Sequence, residues 1–243
     1  VENYFLTPCM LRHESPKAVI SPEEDPFLII SYLGHNLPYQ LQADFQPWHA
    51  DEGHDSDGPI MPEHMNHARL YVALVTICTN ALREILLTHV PKPHTNIYQA
   101  IRAKKADLTK KTQTTRGQWQ NAILLPDQCQ VVFPDPCGRY VASVDQFDIS
   151  LLYILIRHVS TVSASLMDWG MYPIEKPFRD RCLGASVERI RMYRNQIGHS
   201  MDGKMSQQNF DNYWNKIDSA LDDIEQALGR QEFRAQLEKQ RRQ

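Results

Sequence analysis

The stretch Glu188-Arg-Ile-Arg-Met-Tyr-Arg-Asn-Gln-Ile-Gly-His199 gathers side chains that handle phosphate and protons. Three arginines, Arg189, Arg191 and Arg194, fall within six residues, and Asn195 and His199 follow. Arginine offers a planar fork of donors matched to phosphate oxygens, and histidine takes and gives a proton near neutrality. The apolar positions Val187, Ile190 and Ile197 predict a helix here, with Ser186 as its N-cap. On that helix Asn195 and His199 share a face, which Glu188 and Arg191 continue toward the N-terminus. Arg194 precedes His199 by five residues, about 140° around a regular helix, so the two converge only if the chain relaxes at Gly198 or across an interface. A purely structural reading of the same residues pairs Glu188 with Arg191 and leaves His199 as a C-terminal helix cap.

A second concentration of charge runs from Arg102 to Arg116, where Arg102, Lys104, Lys105, Lys110, Lys111 and Arg116 stand against the single acid Asp107. Such density could track a phosphate backbone, against the alternative of a solvated helix surface. Trp119 stands just beyond it and could stack a base or join the core. His49, His54, His64 and His67 lie among Asp51, Asp55, Asp57 and Glu63, but Gly53, Gly58, Pro59 and Pro62 interrupt the stretch. It reads as a solvated acidic linker rather than a metal site. Cys129 and Cys137 read as ordinary thiols. No metal and no cofactor is expected. The sequence has no G-x-x-x-x-G-K, G-x-G-x-x-G, G-x-S-x-G, H-E-x-x-H or EF-hand loop, which excludes nucleotide binding and hydrolysis in those modes.

The chain must bury enough surface to hold these groups. Its 243 residues suffice for a sizeable core without disulfide or metal. The five cysteines form an odd set without C-x-x-C, which argues against a disulfide scaffold or zinc ribbon and fits a reducing, cytoplasmic setting. The net charge of −3 excludes a strongly basic protein only on the global scale. Apolar runs such as Ile149 to Ile156 fall far short of the roughly 20 residues a membrane span needs, so no membrane contact is expected. The chain opens on Val1 and ends in a charged tail, which reads as a piece of something longer.

Eight of the fifteen prolines lie in residues 1–62, which read as irregular structure with a short extended run at Phe27–Tyr32. We assign 1–62 to the tail of a preceding regulatory domain plus a linker, 63–230 to a helical domain and 231–243 to a charged helical tail. Leu70, Ala73, Leu74, Ile77, Ala81, Leu82, Ile85 and Leu86 give a first helix of about six turns, ended by Pro91. A second is expected from Ile97 to about Ala122, interrupted near Gly117. Asp148 caps a third, the Ser186 helix is the fourth, and Ser206 caps a fifth with Phe210, Trp214, Ile217, Leu221, Ile224 and Leu228 on one face. The only strand signal here is Gln130–Phe133. The fold class is all-α, a bundle of about five helices preceded by an irregular N-terminal segment.

Arg194-Asn195-x-x-x-His199 resembles the R-N-x-x-x-H signature of the HEPN superfamily (higher eukaryotes and prokaryotes nucleotide-binding), helical bundles that include many metal-independent ribonucleases. The similarity continues in order through Ala81-Leu82-Arg83-Glu84, Trp119 with Leu124-Leu125-Pro126, Phe147-Asp148-Ile149 with Leu151-Leu152, Trp169-Gly170 with Pro173, Arg189-Ile190 with Tyr193, and Phe210 with Trp214. That order is the one seen in the HEPN branch named for the DAZ-interacting zinc-finger ubiquitin ligase. The sequence departs from the branch in one respect. Relatives often place an aromatic before the glycine and five residues between arginine and histidine, whereas Ile197-Gly198 leaves four. The N-terminal Tyr4-Phe5-Leu6 and Pro8-Cys9-Met10-Leu11, with Pro26-Phe27-Leu28 and Leu37-Pro38, resemble the end of the COR or winged-helix region that follows GTPase modules in large Roco-like and immune-type proteins.

The HEPN resemblance implies a metal-independent endoribonuclease acting on single-stranded RNA, with Arg194, Asn195 and His199 catalytic. Arg191, Lys104, Lys105, Lys110 and Lys111 would contact the RNA. One motif supplies one histidine, so the resemblance also implies a homodimer that sets this helix against its mate. Upstream regulatory domains would control it. The alternative is a non-catalytic dimerisation or interaction module in a multidomain signalling or innate-immune-type protein.

Overall fold

A computed structural model describes residues 62–113, 119–120, 122–135, 137, 139–175, 179–198 and 203–242. Residues 1–61, on which the expected irregular segment, the COR-like resemblance, His49 and His54 fall, lie outside the described residues, as do Arg116, the Trp119 side chain and His199.

Helix α1 (Pro62–Ala73) passes through a π turn (Leu74–Cys78) into α2 (Thr79–Thr88). The Thr79 hydroxyl donates to Leu74 O, five residues back, across the widened turn. All eight apolar positions of the expected first helix are buried. Apolar residues here are spread over a face rather than run together, and the continuous 27-residue helix they make is long and apolar enough to cross a membrane by length and composition. That apolar character has a structural cause, since 56% of its most apolar stretch is buried inside the protein, as a central bundle helix requires.

The expected second helix is two short ones, α3 (Ile97–Ala103) and α4 (Lys105–Thr109), followed by a minimal antiparallel ribbon of β1 (Thr112–Gln113) with β2 (Trp119–Gln120). Asn96 caps α3 by accepting from Gln99 N at 3.0 Å. The chain turns at Lys104 (φ −89°, ψ 1°), and Thr109, Thr112, Thr114 and Thr115 beyond it are β-branched residues that favour extended backbone. The expected strand at Gln130–Phe133 is instead the end of α5 (Pro126–Val132). Pro126 suits the first helical position, and Leu125 N donates to Gln128 Oε1 at 3.0 Å, so a well-formed helix start overrides the preference of two valines.

Arg83 of α2 fastens the next turn by donating to Val144 O at 3.1 Å and Asp145 O at 2.9 Å. That turn leads to α6 (Ile149–Val159), where Asp148 accepts from Leu151 N at 2.8 Å as the expected N-cap. Helix α7 (Leu183–Gly198) begins three residues before the expected cap. Ser186 sits inside it, fully buried, with its hydroxyl donating to Asp223 Oδ2 at 3.3 Å, because a buried carboxylate on the neighbouring helix competes for that hydroxyl. Helix α8 (Gln207–Leu228) starts at Ser206 as expected and ends at Gly229 in the left-handed region (φ 67°). The charged C-terminal residues form α9 (Phe233–Arg242), whose Phe233 and Leu237 enter the core. The described residues thus form an all-α bundle in which α7 packs on α8, α6 and α1.

Burial, reinforced by Arg157, holds the pKa of His158 below its ordinary 6.5 at the end of α6. The unfolded chain therefore binds a proton that the folded one refuses, and the unfolded state gains as pH falls through about 6.5. Thermal melts should show the wild type losing more midpoint between pH 8 and pH 5.5 than His158→Gln. Equal losses in the two proteins would refute the assignment.

Candidate active site

Helix α7 is fixed by its first half and presents its second. In the first half Arg189 is 1% exposed; its Nε donates to Glu175 Oε1 at 2.6 Å and its Nη2 to Ile174 O at 3.3 Å. Asp223 of α8, whose side chain is wholly buried, takes Arg179 Nη2 at 2.6 Å and Arg181 Nε at 2.7 Å, with Arg189 Nη1 farther off at 3.9 Å. Arg189 therefore ties α7 to residues 174 and 175 and sets its charge beside Asp223 of α8. Its buried guanidinium is not offered to a ligand.

Glu188 is buried too. Tyr153 Oη donates to it at 2.7 Å, Gly170 N donates to the same carboxylate oxygen, and Arg191 Nε donates to the other at 2.9 Å. The Arg191 guanidinium also lies 5.0 Å over the Tyr153 ring. The Glu188/Arg191 pair anticipated on structural grounds is thus present, and it ties α7 to α6 while leaving Arg191 a quarter exposed.

Arg194 and Asn195 follow on the last turns, where Arg194 Nη1 donates to Asn195 Oδ1 at 3.3 Å. Burial raises the Asp148 carboxyl above its ordinary value, and the Leu151 N–H and the Arg194 charge oppose that rise. The charge of the motif's arginine is thus felt at the capped start of α6. Gly198 ends the helix, and a Cβ placed on it would meet nothing within 4 Å. His67 of α1 reaches the same end: its Nε2 lies 2.9 Å from Ile197 O. Local pattern gave no signal for that contact, because the two residues are 130 positions apart and His67 read as part of an acidic linker.

The lysines occupy a different element. Lys104 pairs with Asp107 at 3.1 Å, Lys105 lies 5.4 Å over the Phe133 ring, and Lys110 and Lys111 are exposed beyond α4. Helix α3 of this segment packs on α6.

Other reactive groups among the described residues are poorly suited to proton transfer at neutral pH. Burial, with a smaller push from Glu175, raises Tyr193 to about 12. Burial raises the Cys78 thiol to about 12 and also raises Cys129 and Cys182, which disfavours the nucleophilic thiolate. Among the described residues no three His, Cys, Asp or Glu side chains converge as metal ligands.

An all-α bundle whose helix α7 carries Arg194-Asn195 on its last turns, with Gly198-His199 next in the sequence, fits the HEPN class. The model of the DZIP3/hRUL138-like HEPN family matches residues 102–241, more than half of the chain, and the chain belongs to that family. No curated protein and no solved structure matches it. The match begins within α3, so Ala81-Leu82-Arg83-Glu84 lies before it. In the structure Arg83 fastens the turn ahead of α6, and Glu84 pairs with Arg230 at 2.7 Å.

Proposed function

We propose that this domain is a metal-independent endoribonuclease that cleaves single-stranded RNA in the cytoplasm at the interface of a homodimer, under control of upstream domains. The observation that carries the reading is the pairing of Arg194 with Asn195 on the last turns of α7, directly ahead of Gly198 and His199, in a member of a HEPN family. Cleavage needs a base to take the 2′-hydroxyl proton, an acid to protonate the departing 5′ oxygen, and a cation to stabilise the pentacoordinate phosphate between them. The 2′ oxygen bonds to phosphorus as the 5′ oxygen leaves, giving a 2′,3′-cyclic phosphate and a 5′-hydroxyl. Two His199 imidazoles, one from each subunit, would exchange the protons. Arg194 would hold the phosphate and Asn195 would orient it or the imidazole. Arg191 and the lysines at 104, 105, 110 and 111 would carry the flanking strand.

A second reading, a non-catalytic interaction module, draws on the connector between α6 and α7, where Leu166 is 78%, Met171 52% and Tyr172 68% exposed. A cleavage assay in EDTA, run across protein concentration, separates the two. The nuclease should leave cyclic ends, respond steeply to concentration, and lose at least about a hundredfold in rate in His199→Ala and in Arg194→Ala, the scale of acid–base and phosphate-stabilising groups. Cleavage unchanged in His199→Ala, or none from the wild-type dimer, would leave the interaction module standing.

A further inference from the structure

Helix α1 lies before the family match, yet it holds both ends of the connector that follows α7. Glu63, Asn66 and His67 stand at i, i+3 and i+4 and so share one face of its first turns. Ile197 O is among the last four carbonyls of α7, which find no partner inside a helix. A carbonyl only accepts, so His67 Nε2 carries a proton and donates to it across the 2.9 Å contact. Tyr71, one turn farther along α1, stacks on the imidazole with centroids 6.5 Å apart and planes 13° from parallel, which fixes the ring's plane. Beside it Asn66, only 5% exposed, donates from Nδ2 to Met205 O at 3.3 Å and to Gln207 Oε1 at 3.2 Å, while Met205 N donates to Glu63 O at 3.0 Å.

The connector therefore leaves α7 under one hydrogen bond from α1 and rejoins it under three, with residues 198–204 between. The two anchor points, Ile197 and Met205, are thus both held by neighbouring residues of one helix. The constraint matters because Gly198 supplies none: with nothing within 4 Å of its would-be Cβ, its side-chain position gives the chain no steric guide.

We propose that His67 is a positioning residue of the nuclease site. By donating to Ile197 O it sets the direction in which the connector departs, and so the approach of His199 to the phosphate. The proposal rests on the ribonuclease reading above. Displacing a catalytic group by about 1 Å can cost about a hundredfold in rate, which sets the scale of the effect.

The experiment compares His67→Ala with His67→Gln in the full chain, since the glutamine Nε2 can still donate to Ile197 O. Amide hydrogen exchange over residues 197–204 and cleavage kinetics are both read well below the unfolding temperature. The alanine variant should exchange at least about tenfold faster over that segment and lose roughly ten- to a hundredfold in kcat with KM within about twofold. Glutamine should restore both. If the alanine variant fails to fold, His67→Leu, which keeps apolar bulk and lacks the donor, gives the same contrast. Unchanged exchange in the donor-less variant overturns the proposal, as does a glutamine variant no better than alanine. A wild type that cuts no RNA removes the reading beneath it, and the exchange arm, which needs no substrate, then shows separately whether His67 fixes the turn.

Discussion

Asp223→Ala is expected to lower the unfolding free energy by about 3–5 kcal/mol, the range seen when one partner of a buried ion pair is removed. The Asp223 carboxylate is fully buried between Arg179, Arg181 and Arg189, and it also accepts the Ser186 hydroxyl. Alanine takes away the acceptor and leaves Arg189, 1% exposed, with Glu175 and the Ile174 carbonyl alone. Arg179 and Arg181 are 25% and 53% exposed in their side chains and recover some hydration, so most of the cost falls on the buried Ser186 hydroxyl, which loses its acceptor, and on Arg189, which loses the opposite charge 3.9 Å away. Against a typical total of about 5–15 kcal/mol, such a loss is a large fraction of the stability. Asp223→Asn keeps an acceptor oxygen and loses the charge, so it should fall between alanine and wild type. Urea denaturation followed by circular dichroism decides it; an alanine variant within about 1 kcal/mol of wild type would mean the arginines repartner freely.

That network shows where reading by sequence stopped. The all-α class, the apolar faces of α1–α2, α6 and α8, and the caps Asp148 and Ser206 were legible because each depends on residues within a turn or two of one another. The Glu188/Arg191 pair was legible for the same reason. The hub at Asp223 was not, since its partners stand 34 to 44 positions away and arrive only when α7 packs on α8. Ser186 was misplaced by the same circumstance: a serine ahead of an apolar run looks like a cap, and only the buried carboxylate across the interface makes it an interior residue. The Gln130–Phe133 segment went the other way, local strand preference losing to a helix start at Pro126. In the candidate site, Arg194 and Asn195 were legible as neighbours on one helix, and their side chains pair. His67 was not, because an α1 histidine meets the end of α7 only through the tertiary fold.

The two glycines of α7 should respond oppositely to alanine, and the larger effect belongs to Gly184. A Cβ there would lie 2.2 Å from Ser163 O and 3.0 Å from the Ala164 carbonyl carbon, both backbone atoms that no rotamer change can withdraw. Either α7 lifts at its N-terminus or the 163–164 segment shifts. The first would loosen Glu188 and Arg189 from Gly170, Tyr153 and Glu175, the contacts that hold the helix in register. Overpacking of ordinary cores costs about 1–3 kcal/mol; with main chain on both sides of the clash, we expect the upper end of that range or beyond for Gly184→Ala. Gly198→Ala meets no atom within 4 Å and gains helix propensity, so its stability should be unchanged or up to about 1 kcal/mol higher. Its effect should appear instead in cleavage, since stiffening the last residue of the helix limits how the following histidine can turn toward Arg194. Paired urea melts and turnover measurements separate the two outcomes. A Gly184→Ala protein as stable as wild type would show that the close approach of the two backbones is incidental. A Gly198→Ala protein with full turnover would show that the arginine and histidine converge without freedom at that residue, which leaves contact across the two-fold interface to bring them together.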